Sequence, residues 1–233
     1  MIDLKRIALV ALLALAACST DPPEPPPDGA RPRTVTTDAG SELEALELGR
    51  GGHVVVFSHG ATGTKEDFYE LAQGFADAGW RAIVYDASGV GDSTGERDQD
   101  REGDLRAVVE QARSTGAETL VLGGGSMGAS LSIATAAELE ADAVISLSAS
   151  TTTFDALEAA SALRGEVPMY VAAAEGNEPF GEEARRIAEA SATTATIVDG
   201  DGHGTGILSD HPELIDAIVT FADEATERQE GTS

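Results

Sequence analysis

Along the chain, apolar positions alternate between two patterns. Short continuous runs, of which Val54-Val55-Val56-Phe57 is the clearest, suit strands buried on both faces of a parallel sheet. Between them apolar residues recur at helical spacing, as at Phe68, Leu71, Ala72 and Phe75, and again at Leu105, Val108, Val109 and Ala112. The same alternation predicts strands over 82–85, 119–122, 144–147, 169–173 and 196–198. Helices are predicted over 127–139 and 182–190, followed by a last one carrying Leu214, Ile215, Ile218 and Phe221. Upstream, residues 34–37 and 43–48 flank Asp38-Ala39-Gly40-Ser41, a hairpin with turn residues at its tip. Strands alternating with helices at this spacing predict a three-layer α/β domain over 34–228, with a mostly parallel central sheet, helices on both faces and a short tail at 229–233.

The first twenty residues follow a different rule. Lys5 and Arg6 precede an apolar run over 7–17, the layout of a secretory signal, and eleven residues are too few to span a membrane. The run ends Leu15-Ala16-Ala17-Cys18, which resembles the lipobox of bacterial lipoproteins. That resemblance implies cleavage after residue 17, a lipid on Cys18, and tethering to the extracytoplasmic side of a membrane in a bacterial cell envelope; the plainer reading is an ordinary cleavage site followed by a free cysteine. Residues 18–33 hold six of the nine prolines and are expected to form a semi-extended spacer that holds the domain away from the membrane.

Charge narrows the function. Lys and Arg total 15 against 41 Asp and Glu, a formal charge of −26, so no basic surface for nucleic acid can be built. Loss of residues 1–17 removes Asp3, Lys5 and Arg6 and leaves the chain one unit more negative, so attachment to anionic lipid would have to come from acylation. With Cys18 the lone cysteine, neither an intrachain disulfide nor a paired-thiolate metal site is available, and no metal or cofactor is expected.

The candidate chemistry gathers after the predicted strands. Residues 119–122 run through Gly123-Gly124-Gly125-Ser126-Met127-Gly128 straight into a helix, a GxSxG pattern in a strand-turn-helix setting. Such a turn forces Ser126 into strained backbone geometry with its hydroxyl exposed, whereas a mere N-cap serine would not ask for Gly128 inside the first helical turn, where glycine costs about 1 kcal/mol relative to alanine. A serine nucleophile needs a base. His203, in Asp199-Gly200-Asp201-Gly202-His203-Gly204, stands after the last strand, the third place in the order serine, acid, histidine. His53, His59 and His211 have plainer roles at a strand start, a loop turn and a helix start. Ser58-His59-Gly60-Ala61-Thr62-Gly63 follows the first buried strand, where one oxyanion N–H is expected from Ala61 and a second from Met127, the residue after the nucleophile.

Together the His59-Gly60 loop, the Gly124-to-Gly128 elbow and the His203 loop resemble the α/β-hydrolase superfamily, over roughly residues 34–228. Asp86-Ala87-Ser88-Gly89-Val90-Gly91-Asp92-Ser93 is similar to the family's D-x-R-G-x-G-x-S loop, with Ser88 in place of the usual arginine. The family's acid position falls on Asn177. An amide there can accept a bond from the His203 ring but cannot stabilise its imidazolium form, so Glu178, one residue on, ranks first as the acid, with Glu175 and Asp155 as alternatives. Residues 148–167 leave no room for a large cap domain, which implies an open, lidless site similar to small esterases and dienelactone-hydrolase-like enzymes. The resemblance implies a serine hydrolase acting on a small carboxylic or thio ester through an acyl-enzyme; a hydrolase-fold binding module silenced by Asn177 and an amide or peptide hydrolase are the alternatives. Lys65 is the lone basic residue in the motif loops, which disfavours an anionic substrate.

Overall fold

The computed structural model describes residues 24–97 and 99–230; Cys18, the signal segment and residues 231–233 lie outside them. Eight strands form one sheet in the order β1-β2-β4-β3-β5-β6-β7-β8. The hairpin of β1 (Arg31–Thr36) and β2 (Glu42–Gly49) is antiparallel and forms one edge. β3 (His53–Ser58), β4 (Arg81–Tyr85), β5 (Thr119–Gly125), β6 (Ala143–Leu147), β7 (Met169–Ala174) and β8 (Ala195–Val198) are parallel. The continuous apolar runs of the central strands follow from burial on both faces: every residue from Val54 to Ser58 and from Arg81 to Tyr85 is buried.

Two apolar cores flank the sheet. On one face lie α2 (Arg101–Ser114), α3 (Met127–Thr135), α4 (Ala156–Ala162) and α5 (Phe180–Ser191), packed through residues such as Leu105, Val109, Ile133, Ala160 and Ile187. On the other lie α1 (Tyr69–Asp77), the short α6 (Gly206–Asp210) and α7 (Glu213–Glu230), through Leu71, Phe75, Ile207, Ile218 and Ala222. Trp80 closes the far end of this second core, its indole N–H donating to Asp223 Oδ1 at 2.7 Å. The fold is thus the three-layer α/β arrangement, and the stretch between β6 and β7 holds only a single turn and the short α4, with no cap domain.

Four differences from the sequence reading have physical causes. β5 runs on to Gly125, past the expected end at residue 122, because its glycines pair with β3 and β6 while the Phe57 ring fills the space a side chain at Gly123 would need. α3 stops short of 139: Glu140 turns left-handed at φ 46° and Ala141 N–H closes onto Ala136 O. α4 and α6 are too short to carry a readable helical period. Finally, β1 begins at Arg31, within the expected spacer, since Pro32 is tolerated on an edge strand where its missing N–H is not needed.

The expected spacer is shortened further by the residues just before β1. Residues 24–30 lie on the domain: Ala30 packs against the second core and donates its N–H to Pro27 O at 3.1 Å. Asp28 and Gly29 border a groove with Gln73, Ala76 and Asp77 of α1, and Glu24 N–H reaches Glu66 Oε2 at 3.4 Å, just ahead of α1. Among the described residues no helix is long and apolar enough to cross a membrane.

Candidate active site

Ser126 sits between β5 and α3 with φ 56° and ψ −119°, a conformation that costs a non-glycine residue about 1–3 kcal/mol and persists only where its surroundings enforce it. The enforcement is visible. Ser126 N–H donates to Leu147 O at 2.8 Å, and the turn is so tight that a Cβ on Gly124 would stand 2.3 Å from the Gly128 carbonyl carbon. A Cβ on Gly128 would stand 1.9 Å from Ser58 O, a backbone atom with nowhere to go. Gly128→Ala should therefore lower stability by about 3 kcal/mol, read as a fall in the urea midpoint together with loss of whatever activity Ser126 supports.

His203 shares a cleft of about 440 Å³ with Ser126, lined also by Ala61, Asp67, Phe68 and Thr205. Its Nδ1 lies 2.7 Å from Asn177 Oδ1. An amide oxygen cannot donate, so Nδ1 carries the proton and the lone pair is left on Nε2, the tautomer a general base needs. Phe180 covers the ring at a centroid distance of 4.3 Å, and burial holds His203 below the usual histidine range, neutral and ready to accept a proton. Among the described residues Ser126 Oγ makes no hydrogen bond, which leaves it open to an incoming substrate.

The third position corrects an expectation. Glu178 is exposed and does not meet His203; Asn177 does. The register is set by backbone: Glu175 N–H to Val198 O and Gly176 N–H to Gly200 O, both 2.8 Å, extend the pairing of β7 with β8 and bring residue 177 opposite the His203 loop. Glu175 turns away to an ion pair with Arg185, and Asp155 is an exposed residue at the head of α4. None of the three carboxylates weighed from sequence orients the histidine.

Ala61 and Met127 are the two residues expected from sequence to donate to an oxyanion. Ala61 lines the cleft, and Met127 opens α3, where first-turn N–H groups have no partner within the helix. The loop before Ala61 is held by His59, which is buried, donates Nδ1–H to Gly60 O at 2.7 Å and accepts Ala87 N–H on Nε2 at 3.1 Å. Burial, together with the positive charge of Arg101 and against the Gly60 hydrogen bond, lowers its pKa to about 4. A depressed folded-state value means stability is present in full above the free-histidine value of 6.5 and is lost as pH falls toward 4, by about 3 kcal/mol at 1.36 kcal/mol per unit. His59→Gln should flatten that part of the pH dependence of the urea midpoint relative to the parent chain.

Two supports were not singled out in the sequence. Ser148, at the end of β6 with φ 56°, accepts Gly204 N–H on Oγ at 3.1 Å and so fixes the residue next to His203. The signal was a hydroxyl just past the carboxyl end of a buried strand, where sites of open α/β sheets are built. Asp104 of α2 takes both Ser88 N–H and Ser88 Oγ–H at 2.7 Å, which secures the loop where Ser88 replaces the usual arginine. Lys65 is consumed: burial opposes its charge, but Asp86 at 2.6 Å outweighs this and holds the ammonium above its usual range. Asp67 is the charged side chain on the cleft wall, and burial raises its carboxyl. Among the described residues no cluster of three His, Cys, Asp or Glu side chains is placed to hold a metal.

Solved structures share this fold. An esterase from Pyrococcus furiosus superposes with a TM-score of 0.72 at 15% identity, covering 84% of this chain and 90% of its own. An α/β serine hydrolase without a lid from Xanthomonas campestris gives 0.64 at 21% identity, over 88% and 98% of the two chains. A serine hydrolase homologue from Coxiella burnetii gives 0.69 at 18%, over 82% and 96%. No curated protein matches the chain. The family model for the alpha/beta hydrolase fold matches residues 53–175, from the start of β3 to the loop after β7. That span carries the His59-Gly60 loop and the Ser126 elbow, and the chain belongs to the alpha/beta hydrolase fold family.

Proposed function

We propose that the chain is a serine hydrolase of carboxylic or thio esters that works through an acyl-enzyme on Ser126, tethered through Cys18 on the extracytoplasmic side of a bacterial membrane. The observation that carries the chemistry is Ser126 at φ 56° in one cleft with a histidine whose proton is held on Nδ1 by Asn177. Ser126 Oγ attacks the acyl carbon as His203 Nε2 takes its proton, and the carbonyl oxygen, now negative, is met by the N–H groups of Ala61 and Met127. The imidazolium then gives the proton to the leaving alcohol or thiol, and water releases the acyl group by the same steps in reverse order of partners. With Lys65 engaged by Asp86 and Asp67 on the wall, a neutral or cationic substrate fits better than an anionic one.

Asn177 supports a second reading, a binding module that keeps the hydrolase fold with a silenced serine. A fluorophosphonate probe separates the two. A stoichiometric adduct on Ser126, located by digestion and absent from Ser126→Ala, is the result expected of the hydrolase; a folded protein that takes no adduct would overturn it in favour of the binding module.

A further inference from the structure

The segment that was expected to hold the domain off the membrane instead climbs the body of the protein. Traced back from β1 it passes Asp28 and Gly29 beside Gln73 and Asp77, then reaches Glu24 at Glu66, so the segment lies parallel to α1 and its amino end is at the carboxyl ends of the parallel strands. Glu24 borders a shallow groove with Glu66, Glu70, Leu208 and Ser209. That groove shares Asp67, Thr205 and Gly206 with the Ser126 cleft, so the two adjoin along those residues. The chain thus leaves the described part of the domain at the rim of its active site, not at the opposite end.

Chain length does the rest. Cys18 is six residues before Glu24, and six fully extended steps span at most about 20 Å. A lipid on Cys18 therefore holds Glu24, and the rim with it, within that distance of the membrane, whereas a free spacer over 18–33 would have permitted any orientation. We infer that the tether turns the Ser126 cleft toward the membrane surface, so that its substrate is an ester carried in or on that membrane and not one arriving from bulk solution. This rests on the hydrolase and anchor readings above. The lidless cleft suits it, since an open mouth can meet an interface directly. The rim carries Glu24, Glu66, Asp67 and Glu70, so it fits a zwitterionic or cationic surface and is repelled by an anionic one over roughly a Debye length of 8 Å.

The test uses the full acylated chain in phosphatidylcholine vesicles that hold an energy-transfer acceptor on the lipid headgroup. A donor dye is placed on Ser209→Cys at the rim, or on Ser114→Cys at the end of α2, beside the amino ends of the strands. Transfer at least threefold greater from position 209 is the expected result, and a flexible fifteen-residue insertion after Thr20 should erase the difference. Equal transfer, or greater transfer from 114, overturns the placement. In the same vesicles, the anchored chain should hydrolyse a membrane-borne ester at least tenfold faster than soluble residues 19–233, with no such gain on a short water-soluble ester; equal gains on both overturn the substrate assignment. A mature chain whose mass shows no lipid on Cys18 overturns the anchor and this inference together. Failure of the hydrolase reading shows differently, as a chain that gives the expected transfer pattern and turns over neither ester.

Discussion

Ser126→Ala is expected to lower ester turnover by only about a hundredfold in the natural chain, far less than nucleophile loss costs an enzyme with a complete triad, where the figure is about 10⁶. The reason is that members of a triad act as a unit. An amide in place of the carboxylate removes roughly four orders of magnitude by itself in serine proteases, because nothing then stabilises the imidazolium that forms as the serine is deprotonated. Asn177 at 2.7 Å from His203 Nδ1 puts this chain at that lowered starting point, with the oxyanion donors and binding supplying the floor beneath it. The same Ser126→Ala change made in an Asn177→Asp background should then cost about 10⁴-fold or more, and rates of the two single variants, the double variant and the parent on one ester measure the coupling. Equal losses in both backgrounds would mean that Asn177 and Ser126 do not belong to one catalytic unit.

Much of this centre was legible before the structure. Strands buried on both faces announce themselves as apolar runs, and an elbow needs glycines at fixed offsets from the serine, so 54–57 and the Gly124-Ser126-Gly128 spacing carry the fold and the strained turn at Ser126. Chain order singles out His203, which shares the Ser126 cleft. What could not be read was anything that depends on one loop facing another. Whether residue 177 or 178 meets the histidine is a matter of how β7 pairs with β8 beyond their ends, and the two backbone bonds to Val198 O and Gly200 O have no trace in the sequence. Composition misled at the amino end for a related reason: proline-rich residues read as a spacer, yet Asp28 and Gly29 lie beside α1 and Ala30 packs on the second core, contacts that proline content does not announce. Ser148 shows the middle case, a polar residue at an informative place whose partner, Gly204 N–H, belongs to a loop 56 residues away.

Asn177→Asp should raise ester turnover by a hundredfold or more and move the pH profile with it. In the natural chain burial alone acts on His203, and its pKa lies below the ordinary 6.5. The base works only when neutral, so activity should hold as pH falls through 6.5 and decline below it. A carboxylate at the Asn177 position faces Nδ1–H at the same distance and favours the charged ring, so the acid limb of kcat/KM should shift upward as the plateau rises. Half-burial at position 177 leaves the second carboxylate oxygen within reach of water, so the new charge is not stranded. The two effects have one cause, stabilisation of the imidazolium, and must appear together. A rise in rate with an unmoved limb would point to altered loop packing instead. No rise at all, with Glu178→Gln crippling the enzyme, would mean that the loop shifts by one residue when substrate binds and that Glu178 supplies the missing charge.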